Sequence, residues 1–129
     1  MDKFEQIIQE AEAFVLSAVD KNGFPSNIIL TQVLDRSGSV TLLFYLDEQT
    51  KIMNTIKSNP RGTVSCAIHH PTHVETLNLN GTFTIEPSWK VQGRSEGIEP
   101  TNKYDRYEES VVVVFEVMHY EIEIVNKLI

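Results

Sequence analysis

The sequence predicts a small, mainly β protein in which antiparallel strands close into a barrel accompanied by a few helices. After residue 13, most of the chain consists of apolar runs of strand length, and several of them alternate with polar residues. The glycine-containing turn signals DKNG and DRSG separate the first runs. The 129 residues fit one domain, and about six antiparallel strands in a chain of this size usually close into a barrel.

The N-terminal stretch, residues 1–13, is predicted to be an amphipathic helix. Phe4, Ile7, Ile8 and Ala11 recur at helical spacing, and acidic residues occupy the opposite face. This spacing is typical of a helix that packs on a core, and we expect no chemistry from it.

The next elements are three strands followed by a short helix. The strands are predicted at residues 14–20, 25–34 and 39–46, and the helix at about 48–58. Because two short turns join the strands, we expect an antiparallel meander in which each strand pairs with the next. Asp47 is the predicted N-cap of the helix, and Asn59-Pro60 is expected to end it.

The second half of the predicted barrel core, which spans residues 14–86, contains a strand at 61–70 and another at 75–86. The strand at 75–86 alternates most clearly, with an apolar face and an uncharged polar face that could meet solvent, a polar ligand or a partner subunit. Residues 87–109 are expected to be irregular or partly helical.

The last predicted strand covers residues 110–125. Its apolar positions change from odd to even between Val117 and Met118. This change indicates either a bulge or burial on both faces.

Composition and charge exclude several classes of function. The formal net charge of -7 argues against binding to nucleic acid or to an anionic membrane surface. No run approaches the roughly 20 apolar residues of a membrane span, and the acidic N-terminus does not resemble a signal peptide, so we expect a cytoplasmic protein. Cys66, the one cysteine, cannot form an internal disulfide and is expected to be a small buried residue rather than a catalytic thiol.

The stretch HHPTH brings three histidines together in the sequence. His69 and His70 would point to opposite faces of a strand, so they cannot easily share an ion. His70 and His73 are better placed across the turn, but no nearby cysteine completes a ligand set. We therefore expect no metal site.

Lys51 stands at the start of the predicted short helix, where a cation opposes the helix dipole. It is either a solvated surface charge or one part of an anion site. The aromatic residues Trp89, Tyr104 and Tyr107 are likewise open to two interpretations, as a satellite core or as a roof over a planar ligand.

Three stretches resemble the FMN-binding split-barrel family, which comprises the pyridoxamine 5'-phosphate oxidase-like proteins and their general-stress-protein relatives. They are LSAVDKNGFPSN, LLFYLDEQTKIMNTIKSNPRGTVSCA and LNLNGTFTIE, and they span most of residues 14–86. The resemblance implies a six-stranded antiparallel split β-barrel over residues 1–129. It also implies a homodimer with flavin sites between its subunits, FMN as cofactor and a small-molecule redox substrate.

The resemblance assigns the flavin phosphate to the start of the short helix and the ring to the second and third strands. The implied cofactor-binding residues are Asn27, Ile28, Ile29, Tyr45, Thr50 and Lys51. The chain departs from the family pattern at two points. The basic residue usual on the second strand is missing around Asn27 to Ile29, and Asp47 places a negative charge near the phosphate position.

Two functions follow from the resemblance. The first is a flavin-dependent oxidoreductase that uses FMN. The second is a non-catalytic split-barrel module that has lost FMN, or that binds haem, a deazaflavin or another ligand at the dimer interface. The two departures favour the second function, and no proton donor or second substrate can be named from the sequence.

Overall fold

The computed structural model describes residues 2–31, 41–86 and 110–128 of the chain. These residues form two helices, α1 (Lys3–Glu10) and α2 (Lys51–Ser58), and six strands, β1 (Phe14–Val19), β2 (Pro25–Leu30), β3 (Thr41–Asp47), β4 (Arg61–His69), β5 (His73–Glu86) and β6 (Ser110–Asn126). The predicted mainly β class is confirmed. The interpretation of residues 87–109, including Trp89, Tyr104 and Tyr107, falls outside the described residues.

The six described strands form one antiparallel sheet, in the order β2-β1-β4-β5-β6-β3, that curls into a half-barrel. The predicted meander is therefore wrong for β3, which pairs with β6 instead of β2. The physical reason lies in the side chains that this pairing brings together. Phe44 lies opposite Val113 and Leu42 opposite Phe115, and all four are buried in the core.

A bulge in β6 explains the change of apolar phase in the sequence. On one side of it Asn80 pairs with His119, and on the other side Gly81 pairs with Val117, so that Met118 is left without an opposite residue. The extra residue switches which positions of β6 face the core, because side chains alternate along a strand. Of the two interpretations of the phase shift, the bulge is confirmed.

The core lies on the concave face of the sheet, where both helices cover it. α1 begins at Asp2, whose side chain accepts a hydrogen bond of 2.8 Å from the Glu5 backbone N–H. Its apolar face is buried as predicted, although the helix ends at Glu10 instead of residue 13. α2 inserts Ile52, Met53 and Ile56 into the same core.

The opposite face of the sheet, called the outer face below, carries mostly polar side chains from β1, β4 and β5. Ser65 lies directly across from Asn78, and its hydroxyl donates a 3.0 Å hydrogen bond to the Asn78 amide oxygen. In the described part of the chain, neither helix is long and apolar enough to cross a membrane.

Candidate functional site

The two edge strands of the described sheet, β2 and β3, define the place where the predicted site residues lie. β2 pairs with β1 and β3 pairs with β6, and the described residues show no ladder between β2 and β3. α2 leaves the end of β3 and packs on β1 and β2. It therefore connects the two edges, and we call the gap that it spans the seam.

Contacts between side chains hold α2 against β2. The Ser26 and Thr55 hydroxyls are 3.1 Å apart and buried, and the Thr55 hydroxyl donates to the Lys51 carbonyl oxygen at 3.3 Å. Because Thr55 uses its proton on that carbonyl, Ser26 is the donor to Thr55. Thr55 lies in the middle of α2, so this contact fixes the middle of the helix to β2, and Lys51 lies one helical turn earlier, about 6 Å along the axis.

Thr50 is the N-cap of α2, and the prediction of Asp47 as N-cap is wrong. Asp47 is the last residue of β3, and its carboxylate accepts a 2.8 Å bond from the Gln49 backbone N–H. This local bond makes a turn of three residues between strand and helix, because an aspartate readily bonds the backbone two residues ahead. The helix consequently begins at Lys51.

The first turn of α2 carries the positive end of the helix dipole. The side chain of its N-cap, Thr50, makes no capping hydrogen bond, and its hydroxyl donates to the Asp47 carbonyl oxygen at 2.9 Å. The first backbone N–H groups of a helix carry partial positive charge. In α2 the Met53 N–H is already used, since it donates to the Thr50 carbonyl oxygen at 3.2 Å. The exposed Lys51 adds a full positive charge at the same place.

The three predicted residues of β2 do not share one face. Asn27 and Ile29 are exposed on the outer face, where the Ser17 hydroxyl donates to the Asn27 amide oxygen. Ile28 points the other way and packs partly buried against the core. The exposed fraction of Ile29 is 66 %, so this side chain gives the edge an exposed apolar surface.

Tyr45 lies on β3, at the other edge of the sheet. It is half-buried and alternates with the buried Phe44 and Leu46, so it points to the outer side of the strand. The structure thus places Thr50 and Lys51 together at the start of α2, and Asn27 and Ile29 together on β2. Tyr45 lies on β3, the opposite edge strand of the described sheet.

The structure also shows a cavity of about 410 Å³ on the outer face that the sequence does not predict. Arg61 and Met118 line it together with Val19, Thr63 and Asn80. Arg61 directly follows the Asn59-Pro60 pair that ends α2, so it is a cation close in sequence to the helix. The bulge that exposes Met118 could be anticipated from the apolar phase shift, whereas the position of Arg61 beside it depends on strand pairing.

A second group missed by the sequence reasoning lies on the β4–β5 hairpin. Glu75 is buried, with an exposed fraction of 3 %, and receives charged hydrogen bonds from Lys3 at 2.5 Å and His70 at 2.7 Å. Bonds from Lys3 and then from His70 lower the pKa of the Glu75 carboxyl. The alternation of apolar and polar residues along β5 did not indicate that the Glu75 carboxylate would be buried.

No protein-family model and no curated protein sequence matches the chain. Solved structures match its fold. A candidate pyridoxamine 5'-phosphate oxidase from Listeria innocua has a TM-score of 0.71 at 19 % identity, over 94 % of this chain and 95 % of its own. An FAD-binding protein from Mesorhizobium loti has a TM-score of 0.70 at 15 % identity, over 96 % and 95 %.

A haem-binding protein from Mycobacterium smegmatis also shares the fold, with a TM-score of 0.72 at 12 % identity. The match covers 95 % of this chain and 56 % of that protein. These likenesses show that the chain has the split-barrel fold, as the sequence resemblance predicted. At these identities they do not carry a ligand or a reaction over to this chain.

Proposed function

We propose that this chain binds FMN at the seam and acts as a flavin-dependent oxidoreductase. The observation that carries the proposal is the start of α2 in a split-barrel fold, where Lys51 is exposed and the Thr50 side chain makes no capping hydrogen bond. The names of similar structures include an FAD-binding protein, which supports a flavin, and also a haem-binding protein, which supports the second candidate below.

The phosphate would be held mainly by Lys51 and by backbone N–H groups of the first turn. A phosphate between an ammonium and the end of a helix forms charge-assisted hydrogen bonds, which are about twice as strong as neutral ones. Thr50 has a smaller role in this arrangement, because its hydroxyl proton is already used on the Asp47 carbonyl. The Thr50 hydroxyl would donate to the phosphate only if it gave up its hydrogen bond to the Asp47 carbonyl oxygen.

The flavin ring would lie along the exposed edge of β2. An edge strand leaves alternate backbone N–H and C=O groups without a partner strand, and these groups suit the polar edge of a flavin. Ile29 offers an apolar surface and Asn27 an amide, with Tyr45 contributing from β3. Because the Ile28 side chain packs against the core, its contribution would come from its backbone.

When bound, FMN supplies hydride or electron transfer with a small-molecule redox substrate, and the protein binds and orients it. A second copy of the chain would complete the site in a homodimer. The exposed Val19 and Met118, which line one cavity, and the exposed Ile29 on β2 support this arrangement, because exposed apolar side chains favour association. Sedimentation of the FMN-loaded protein tests it, and a monomeric mass contradicts it.

The test of the phosphate contact compares FMN with riboflavin, which lacks the phosphate. Lys51→Ala should weaken FMN roughly tenfold or more, since charged hydrogen bonds contribute about 1.5–3 kcal/mol. Binding of riboflavin should not change. Lys57→Ala is the matched control, because Lys57 is an exposed lysine in the last turn of the same helix.

Flavin fluorescence during titration gives both dissociation constants. Equal weakening of FMN and riboflavin by Lys51→Ala would remove Lys51 from the phosphate contact. If Lys57→Ala weakened FMN binding as much as Lys51→Ala does, Lys51 would act only through long-range electrostatic attraction and not through a phosphate contact. Failure of the wild-type chain to bind FMN at tens of micromolar would overturn the flavin proposal itself.

A non-catalytic binding module is the second candidate, and two features favour it. β2 carries no arginine or lysine, and Asp47, a carboxylate, lies four residues before Lys51, where the helix starts. Both features weaken the attraction for a phosphate, because a single lysine holds it less firmly than a bidentate arginine. Titration with haem and with a deazaflavin, in parallel with FMN, distinguishes this candidate by which ligand binds most tightly.

A further inference from the structure

The β4–β5 hairpin gathers two histidines and one glutamate away from the seam. His70 and His73 stand at the two ends of the turn Pro71-Thr72, and the His70 backbone N–H donates to the His73 carbonyl oxygen at 2.8 Å. Glu75 follows two residues later in β5. This tight turn brings side chains from both strands to one place.

The potential ligand atoms of these three side chains are close together. One atom each from His70, His73 and Glu75 lies within 4.8 Å of the other two. His70 Nε2 is 2.7 Å from Glu75 Oε1, and the two imidazole rings are stacked with their centres 4.4 Å apart. His69, the neighbouring histidine, is outside this group.

We propose that His70, His73 and Glu75 bind a divalent transition-metal ion of the Zn²⁺ type. Two imidazole nitrogens and one carboxylate oxygen are a ligand set that proteins use for zinc and for non-haem iron. With three protein ligands, at least one coordination position remains for water or another ligand. The site is independent of the FMN proposal, because it lies on a different hairpin.

Lys3 holds the carboxylate in place for such an ion. Its ammonium bonds Glu75 Oε2, while Oε1 faces His70. The two oxygens of one carboxylate can therefore serve a metal and an outer partner at once, an arrangement that fixes ligand orientation in many metal sites. The Glu75 side chain is almost fully buried, so it has few alternative positions.

Binding requires small movements within the cluster. Tetrahedral metal bonds of about 2.0–2.2 Å place neighbouring ligand atoms about 3.3–3.6 Å apart, so His70 Nε2 and Glu75 Oε1, now 2.7 Å apart, must separate by about 0.6–0.9 Å. The stacked rings must also turn, because both nitrogens have to point at the same ion. Both rings are half-buried at the hairpin end, where such rotation is open to them.

The experiment measures Zn²⁺ binding to the full chain by calorimetry at neutral pH. The wild type should bind one ion per chain, and His70→Gln and His73→Gln should each weaken binding by about tenfold or more. His69→Gln is the matched control, because it removes an exposed histidine adjacent to the site and should leave the affinity unchanged.

Thermal unfolding with and without Zn²⁺ provides an independent measurement on the same variants. Zn²⁺ should raise the Tm of the wild type and of His69→Gln, and it should raise the Tm of the other two variants less. Absence of Zn²⁺ binding by folded wild-type protein at about a hundred micromolar would overturn the proposal. So would unchanged binding after loss of His70 and His73, or an equal loss in His69→Gln.

Discussion

Replacing Gly81 by alanine is expected to cost several kcal/mol of folding free energy, because β6 approaches the glycine too closely for a side chain. A Cβ at this position would lie 1.9 Å from the Glu116 carbonyl oxygen and 3.0 Å from the Phe115 ring. Both neighbours belong to β6 beside the bulge. The obstruction at 1.9 Å is backbone, which cannot turn aside as a flexible side chain would.

The size of the effect follows from this distance. Cβ contacts below 3.0 Å are essentially never seen, so β5 and β6 must separate by about 1 Å locally. A backbone hydrogen bond stretched from about 2.9 to about 3.9 Å is lost. With two ladder bonds affected and each unsatisfied buried group costing about 1–3 kcal/mol, the total is about 2–6 kcal/mol. This is a large part of the 5–15 kcal/mol typical of a folded domain.

Urea unfolding followed by circular dichroism measures the difference, with Gly23→Ala as the control. Gly23 has open space around it, but its φ of 87° is left-handed, so alanine there should cost about 1 kcal/mol. We expect Gly81→Ala to be clearly the more destabilised variant. A Gly81→Ala protein as stable as Gly23→Ala would refute the close approach of the two strands at the bulge.

Two further predictions concern contacts that hold the helices to the sheet. Glu75→Gln should lower stability at pH 7. The folded-state pKa of Glu75 is lowered from 4.5, so the stabilisation by its carboxylate is fully present above about pH 4.5 and disappears as the pH falls through the folded pKa. Urea unfolding of the wild type and Glu75→Gln at pH 7 and pH 3 tests this. The same difference in unfolding free energy between the two proteins at both pH values would contradict it. Thr55→Val should lower the free energy of unfolding by about 1 kcal/mol, because it removes the hydroxyl between α2 and Ser26. Thr55→Ser keeps a hydroxyl and should retain most of that free energy. Equal urea midpoints for wild type and Thr55→Val would count against the contact.

Local sequence patterns were enough to predict most of the elements. The alternation in residues 75–86 and the helical spacing in the N-terminal stretch both reappear as buried faces. The phase shift at Met118 indicated either a bulge or burial on both faces, and the register changes at that position in the structure. These signals are local, because side-chain direction depends only on the backbone period of a helix or strand.

The pairing of strands depended on contacts between distant parts of the chain. Two short turns favoured β3 beside β2, yet β3 pairs with β6, where apolar side chains from both strands are buried together. The Asp47 error had a different source. Asp47 satisfied the rule for an N-cap, but its carboxylate bonds Gln49 within the turn, and the helix starts later.

The sequence by itself determined the fold class, the split-barrel resemblance and the position of Lys51 at the start of a helix. Tertiary structure decided that α2 lies against the β2 edge and that Arg61 lines a cavity with Met118. It also decided that Glu75 joins His70 and His73, a set that spacing alone left incomplete. Spacing fixes which way a side chain points along its own strand or helix. Which side chains meet depends on how those strands and helices pack together.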